Sequence, residues 1–277
     1  MLHNPRMSAS PLVDLLARLG PPRIASFIVT LWGDAVAPRG GSLWLGTLQA
    51  VLDRFGCTPG QVRTAMSRLT EEGWLTRNRV GRLSFYRLGP RGEAVFEGAA
   101  TRIYAGAPPA WDGAFRLVFA ETPADEQTLD AALFGRLAPG LRVGLHGANA
   151  GLLGTPRGLA EAVALARRGW SLDALAAQYV RFEQGFAPLA TLDALPHEEA
   201  LPLRLLLVHE WRRVALRDPA LPKALLPEDW PGTRARALAA TLYHRLLPAS
   251  EAWLDAEGRC EHGALPPARL AGRFAGA

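Results

Sequence analysis

The stretch Thr58-Pro59-Gly60-Gln61 constrains the fold of this 277-residue chain more than any other. Threonine is a favoured N-cap, proline fits the first helical position, and glutamine three residues after the cap completes a capping box. Gly56 ends the preceding apolar helix, so only a short turn separates two helices. Beyond Gly73, residues 74–77 and 83–88 have strand character. The order helix, turn, helix, hairpin predicts a winged helix-turn-helix.

Positive charge is concentrated in the first third of the chain. Residues 1–105 contain 13 arginines and seven acidic residues, a net of +6, whereas residues 106–277 contain 18 basic and 19 acidic residues, a net of −1. Such an asymmetry indicates a module that binds a polyanion, joined to a nearly neutral body. Residues 61–91 alone carry seven arginines against two acidic residues.

The predicted second helix and the hairpin supply the candidate DNA-binding residues. In a helix-turn-helix the second helix lies in the major groove, where arginine pairs with guanine and glutamine with adenine. The outward positions of that helix are Gln61, Arg63, Thr64, Ser67 and Arg68. Three further arginines, Arg77, Arg79 and Arg82, lie at or near the hairpin tip, within reach of phosphates or a minor groove. The alternative is that these exposed arginines form only a solvated surface.

The remaining chain predicts a small α/β module followed by helices. Residues 115–121 and 141–146 have strand character, and residues 126–137 helical periodicity, a β-α-β start that suggests a ferredoxin-like module. The Gly-rich stretch 144–154 lacks a phosphate-loop motif and is interpreted as a loop. Predicted helices then cover residues 159–168, 172–184, 198–216, 232–247 and 249–256. The fold class is therefore α+β.

Several stretches resemble the phenylacetic-acid-degradation repressor (PaaX) family of bacterial transcription regulators. The N-terminal resemblance lies in the sequence runs SFIVTLWGD (26–34), PRGGSLW (38–44) and VRTA through EGWL (62–75). The C-terminal resemblance lies in LLVHEWRR (206–213), LRDP (216–219) and LLPEDWPG (225–232). These runs occur in family order at both ends of the chain.

Residues 1–23 are predicted to form a loose leader that contains one short helical stretch over residues 12–19. For the chain that follows, the resemblance implies three parts. They are a winged-helix DNA-binding domain with a following linker helix at 24–105, a central ferredoxin-like (Cas2-like) domain at 106–169, and a helical effector or interaction domain at 170–277. It further implies a homodimer that represses an aromatic-acid (phenylacetate-type) catabolic operon. An aryl-acyl-CoA effector such as phenylacetyl-CoA would release the repressor from double-stranded operator DNA.

The predicted helix at residues 198–216 carries the candidate effector-binding residues. His209, Arg213 and Arg217 share one face of that helix because they are four residues apart. With this face we group Arg204 and Arg212, since guanidinium groups suit a polyphosphorylated ligand, and Trp230 as a candidate lining residue of an aryl pocket. The alternative is a structural ion-pair network with a hydrogen-bonded interdomain histidine.

No catalytic or metal-binding residue is predicted. Cys57 and Cys260 belong to no C-x-x-C pair, and His209-Glu210 lacks the second histidine of a zinc-protease helix. The apolar run at residues 24–32 is too short to span a bilayer, so we expect a soluble, cytoplasmic protein without a cofactor. A protein-interaction adaptor, in which the winged helix is a docking surface, is the alternative function; a metal-dependent nuclease or a CoA-handling enzyme is a weaker one.

Overall fold

The structure, a computed structural model, describes residues 10–106, 111–145 and 152–275. The helices are α1 (Pro11–Leu19), α2 (Ile24–Leu31), α3 (Leu45–Asp53), α4 (Pro59–Glu71), α5 (Pro90–Ile103), α6 (Pro123–Ala131), α7 (Leu159–Gly169), α8 (Leu172–Ala190), α9 (Ala200–Ala215) and α10 (Pro231–Glu257). The strands are β1 (Leu43–Trp44), β2 (Leu75–Val80), β3 (Leu83–Leu88), β4 (Phe115–Phe119), β5 (Gly135–Ala138), β6 (Leu141–Gly144), β7 (Leu152–Gly154), β8 (Arg259–Cys260) and β9 (Gly263–Ala264). The predicted α+β class is confirmed.

The first sheet and its helices form an N-terminal unit. Its three strands are antiparallel in the order β1-β3-β2, so β2 is an edge strand. Helix α2 continues into a π-helical segment, Trp32–Val36, and a 3-10 turn that ends at Gly40, where φ is +84°. The apolar faces of α2, α3 and α4 meet in a shared core that includes Phe27, Leu48 and Val62, each no more than 1% exposed.

The second sheet is four-stranded and antiparallel, in the order β5-β6-β4-β7. The predicted helix over 126–137 is wrong beyond Ala131, because the chain turns at Leu133 (φ +61°) and continues as β5. Gly135 begins β5 so close to the end of α7 that an added Cβ would lie 2.6 Å from the Gly169 carbonyl oxygen. Of the predicted Gly-rich loop, residues 146–151 lie outside the described residues, and residues 152–154 form β7.

The C-terminal part is a bundle in which α8, α9 and α10 pack together. Where two helices were predicted at 232–247 and 249–256, α10 runs unbroken through Pro248. A proline inside a helix costs about 3 kcal/mol or more. Here Leu246 and Leu254, on the two sides of the proline, are both buried, and the Ser250 hydroxyl donates to the Leu246 carbonyl at 2.7 Å. Tertiary packing therefore outweighs the helix-breaking signal.

The short helix predicted in the leader over residues 12–19 is confirmed as α1, and it is packed against the bundle. Leu12 and Leu15 of α1 are buried against the helical bundle. The Leu12 amide and the Ser10 hydroxyl both donate to the Glu199 carboxylate at the start of α9. Burial of this apolar face and the charged acceptor hold α1 to the C-terminal part.

Residues 258–275, called the C-terminal strap below, return to the N-terminal unit. The Arg269 amide donates to the Pro38 carbonyl and the Phe274 amide donates to the Tyr104 carbonyl, both at 3.0 Å. Phe274 is buried, with its ring edge-on to Tyr104 at 5.4 Å between centroids. The strap therefore joins residues that are about 170 to 230 positions apart in the sequence.

Candidate nucleic-acid interface

Helix α4 is fixed at its start by the predicted capping box. The Gln61 amide donates to the Thr58 hydroxyl at 3.3 Å, and the Thr58 amide donates to Gln61 Oε1 at 2.8 Å. On the inner face Val62, Met66 and Leu69 are buried against the core of the N-terminal unit. The opposite face of α4 is consequently exposed and rigidly held.

The predicted DNA-facing positions of α4 are all exposed, but their side chains differ in availability. Gln61 uses its carbonyl oxygen in the cap, which conflicts with bidentate pairing to adenine. Thr64 donates to the Gly60 carbonyl at 3.1 Å, and Ser67 donates to a glutamate four residues on. Arg68 pairs with Glu72 at 3.0 Å on the surface. Arg63 has no hydrogen bond or ion pair within the described ranges.

The β2–β3 hairpin projects a row of exposed arginines. Its strands pair from Leu75 opposite Leu88 to Val80 opposite Leu83, so β2 extends further than predicted and the turn contains two residues. Gly81 takes the first position of that turn at φ +58°, a conformation that suits glycine. Every residue of β2 after Leu75 is exposed. The hairpin is therefore a solvent-facing arm whose length is set by its turn.

Two of the three predicted hairpin arginines are free to bind a ligand. Arg77 donates to the Ser84 hydroxyl at 2.7 Å across the strands. Arg79 and Arg82 are exposed and make no hydrogen bond or ion pair with any residue that the structure describes. No internal ion pair has to be broken before these two guanidinium groups bind a phosphate, so both are available for that contact.

A groove of about 740 Å³ runs between the start of α2 and the exposed face of α4. It is lined by Gln61, Thr64 and Arg68 from α4 and by Arg23 and Ser26 from the α2 side. Arg23 is exposed and extends the basic surface beyond α4. Sequence patterning missed Arg23 because it precedes α2 and shares no periodicity with the second helix.

Arg204, a predicted effector ligand, is instead fully buried in an ion-pair network. Its Nε donates to Asp34 Oδ2 at 2.8 Å and its Nη1 to Glu251 Oε1 at 2.5 Å. Asp34 also accepts from Arg273 Nη1 at 2.9 Å and from the Tyr104 hydroxyl at 2.7 Å. Burial, reinforced by Asp34, raises the pKa of Tyr104, so the phenol remains a neutral donor. This network joins the N-terminal unit, the bundle and the C-terminal strap, and Arg204 is not accessible to an effector.

His209 and Arg212 also face the N-terminal unit. His209 is buried, with Nδ1 2.9 Å from the Thr30 hydroxyl of α2. Burial, followed by the nearby positive charge of Arg212, lowers the pKa of His209 to about 3, so the imidazole is neutral at pH 7. Arg212 Nη2 donates to the Ser26 carbonyl at 3.0 Å and hydroxyl at 2.7 Å. The alternative of a hydrogen-bonded interdomain histidine fits this geometry, and effector contact by His209 stays a prediction.

The other three predicted effector residues separate into two environments. Trp230 is buried beside Tyr179, with ring centroids 5.9 Å apart, and belongs to the core of the bundle. Arg213 is exposed on α9, and Arg217 is exposed in the turn that follows that helix. Arg213 pairs with Glu210 at 3.1 Å, and Arg217 donates to the Gln178 side chain at 3.4 Å. Arg213 and Arg217 are therefore accessible to a small molecule, and the half-buried Arg212 lines a separate pocket beside α2 and α5.

Neither a metal centre nor a membrane-spanning helix is found in the described part of the chain. Among those residues, no three His, Cys, Asp or Glu side chains are arranged to hold a metal ion. No described helix combines the length and the apolar character needed to cross a membrane.

Comparisons with known proteins identify similar chains. The model of the PaaX-like protein family matches residues 23–92, and that of the PaaX-like protein C-terminal domain matches residues 170–256. The chain is 38% identical over 273 residues to the transcriptional repressor PaaX of Escherichia coli (strain K12), covering 87% of this chain and 86% of that relative. A solved structure, the uncharacterized protein Rv0674 from Mycobacterium tuberculosis, matches with a TM-score of 0.53 and 20% identity, over 87% of this chain and 96% of that one. The structural likeness concerns the fold alone.

Proposed function

Because the chain belongs to the PaaX-like protein family, we propose that it is a transcriptional repressor that binds double-stranded operator DNA. The genes it controls are those of aromatic-acid catabolism of the phenylacetate type. The observation that carries the proposal is a set of exposed arginines that have no hydrogen-bond or ion-pair partner among the described residues, Arg63 on α4 and Arg79 and Arg82 on the hairpin. The relative named a transcriptional repressor supports a regulator in preference to an enzyme.

The proposed DNA-binding unit is a winged helix-turn-helix within residues 24–105. Helix α4 enters the major groove, where Arg63 and Arg68 read base edges, and the β2–β3 hairpin is the wing that contacts phosphates or a minor groove. Thr64 and Ser67 contribute hydroxyl contacts once their internal hydrogen bonds exchange. Gln61 contributes through its amide nitrogen, because its carbonyl oxygen holds the cap.

The proposed central domain, within residues 106–169, is ferredoxin-like (Cas2-like) and supports homodimerisation. The antiparallel order β5-β6-β4-β7, with α6 crossing between β4 and β5, supports that assignment. Phe119, Leu152, Leu153 and Leu159 are exposed apolar residues in this domain, as expected of a surface that a second copy covers. Two DNA-binding units would then occupy half-sites of a palindromic operator, about one turn or a multiple apart.

The proposed regulation is release by an aryl-acyl-CoA such as phenylacetyl-CoA, in a cytoplasmic protein that needs no cofactor. A ligand shifts an equilibrium only by its differential affinity for the two states, so moving the repressor from mostly bound to mostly free requires several kcal/mol. By linkage, operator DNA must then weaken phenylacetyl-CoA binding by the same factor.

The experiment is binding of the purified protein to the promoter region beside its own gene, at two salt concentrations, with and without phenylacetyl-CoA. We expect tight, sequence-specific, salt-sensitive binding that the thioester abolishes. Specific binding that ignores the thioester would retain the repressor and discard the effector. Absence of specific binding at both salt concentrations would refute the repressor and favour the protein-interaction adaptor.

A further inference from the structure

A cleft of about 560 Å³ between α1, α8 and α9 combines cationic walls with an aromatic floor. The residues that line it are Arg18, Leu19, Gln178, Arg181, Phe182, Phe186, Glu210, Arg213, Val214 and Arg217. None of them comes from α4 or the β2–β3 hairpin, so the cleft is separate from the proposed DNA-binding surface. Its cations come from three helices that are distant in sequence.

The walls hold four arginines and a single carboxylate. Glu210 is paired with Arg213, which leaves the other three arginines without an acidic partner within the described residues. Arg18 donates to the Gly185 carbonyl at 3.5 Å and Arg217 to Gln178 at 3.4 Å, both long hydrogen bonds. Arg181 makes no hydrogen bond or ion pair in the described structure. Like charges that face one cleft repel each other, and a multiply charged anion relieves that repulsion.

The floor is apolar and well packed. Phe182 and Phe186 lie side by side on α8 with ring centroids 4.9 Å apart, and Phe182 contacts the buried Trp211 ring at 5.4 Å. Val214 of α9 closes the floor on the other side. A ligand that contacts both walls and floor must therefore carry an apolar group as well as negative charges.

Helix α1 completes the cleft and is held in a defined place. Its N-terminal end is anchored to Glu199 at the start of α9. Its C-terminal end packs on Gly185, where an added Cβ would lie 3.0 Å from Leu19 Cδ2. Because α1 is fixed at both ends, Arg18 is presented to the cleft by packed structure.

We propose that this cleft binds an organic polyphosphate that carries an apolar group, with the phosphates on Arg18, Arg181 and Arg217 and the apolar group against Leu19 and the exposed edge of Phe182. Arginine matches phosphate because its guanidinium fork donates two parallel hydrogen bonds. The assignment deepens the proposed function and rests on it, since it makes this cleft the site of the acyl-CoA effector.

Helix α9 links the cleft physically to the DNA-binding unit. Arg213 and Arg217 face the cleft, while Arg212 of the same helix donates to Ser26, which lines the groove beside α4. A ligand that shifts α9 therefore acts on residues that position α4. Contacts in the structure therefore run from the cleft through α9 and Ser26 to the groove beside α4.

The test is isothermal titration of the full-length protein with free coenzyme A and with adenosine 3′,5′-bisphosphate. The variant is Arg181→Gln with Arg217→Gln, and the matched control is Arg167→Gln with Arg168→Gln, which removes two exposed arginines from α7. We expect the wild type and the control to bind coenzyme A with the same affinity within twofold. The cleft variant should bind at least tenfold more weakly.

Equal affinity of the cleft variant and the control would overturn the assignment, as would failure of the wild type to bind either probe. Operator binding in the presence of phenylacetyl-CoA separates this proposal from the repressor function. If the thioester releases wild type and cleft variant alike, the repressor stands and the cleft does not. If coenzyme A binds and depends on Arg181 and Arg217 while no operator is bound, the cleft stands and the repressor fails.

Discussion

Replacing Asp34 with asparagine tests the buried network that joins the two ends of the chain. The carboxylate is fully buried and bonds Arg204 at 2.8 Å, Arg273 at 2.9 Å and the Tyr104 hydroxyl at 2.7 Å. Removing one partner of a buried ion pair costs about 3–5 kcal/mol because the remaining charge stays desolvated. Glu251 still pairs with Arg204, which favours the lower end of that range, whereas Arg273 loses its only carboxylate within the described residues.

The assay is urea unfolding followed by tryptophan fluorescence. A loss of about 3 kcal/mol increases the unfolding equilibrium constant about a hundredfold, and a loss of about 5 kcal/mol increases it several thousandfold, since about 1.4 kcal/mol corresponds to a factor of ten. Arg234→Gln is the matched control, because it breaks a pair with Glu183 in which the arginine is 62% exposed. Exposed pairs contribute at most about 1 kcal/mol. If Asp34→Asn destabilises the protein no more than the control does, the network does not hold the N-terminal unit to the bundle.

Four further outcomes follow from the described geometry. Neutralising Arg79 and Arg82 together should weaken binding to every DNA sequence and flatten the salt dependence by up to about 1.8 in the log-log slope; an unchanged slope excludes the wing from the interface. Arg63→Gln should instead lower discrimination at one base pair by about 1–3 kcal/mol, measured with a set of operator variants. Thr58→Ala should reduce the free energy of unfolding by about 1 kcal/mol through loss of the cap, and no loss in urea unfolding would contradict the cap assignment. The pKa of His209 is lowered to about 3 in the folded protein, below the value of 6.5 in the unfolded chain. The free energy of unfolding therefore carries no penalty from protonation of His209 above pH 6.5. The wild type should therefore lose up to about 1.4 kcal/mol per pH unit below pH 6.5, and His209→Gln should lack this component when unfolding is compared at pH 7 and 5.5.

The sequence predicted those parts of the fold that short-range signals determine. The capping box at Thr58 and Gln61 depends on side chains three residues apart, and the structure confirms it. The helix predicted over 126–137 failed because close packing at Gly135 against α7 decides where that helix ends. The break predicted at Pro248 is also wrong because of long-range packing, since contacts with α8 and α9 keep α10 continuous. Long-range packing is not visible in the periodicity of one segment.

The contrast between short-range signals and long-range packing also explains which site residues could be predicted from the sequence. Exposure of Arg63, Arg79 and Arg82 follows from local patterning, and the structure places all three at the surface. The spacing of Arg204 and His209 gives their faces on α9 but not what covers those faces, and α9 is buried from Ala200 through His209. Arg18 and Arg181 escaped prediction because the cleft forms only when α1, α8 and α9 come together.

The C-terminal strap has a consequence for the order in which the chain is synthesised. The N-terminal unit leaves the ribosome first, yet its Asp34 receives Arg204 and Arg273 only after most of the chain has followed. A product that stops before residue 273 therefore carries a buried carboxylate short of a partner and lacks Phe274 against Tyr104. Such a fragment opens more readily and is exposed to proteases. Completion of the chain is therefore a condition for the full stability of the N-terminal unit.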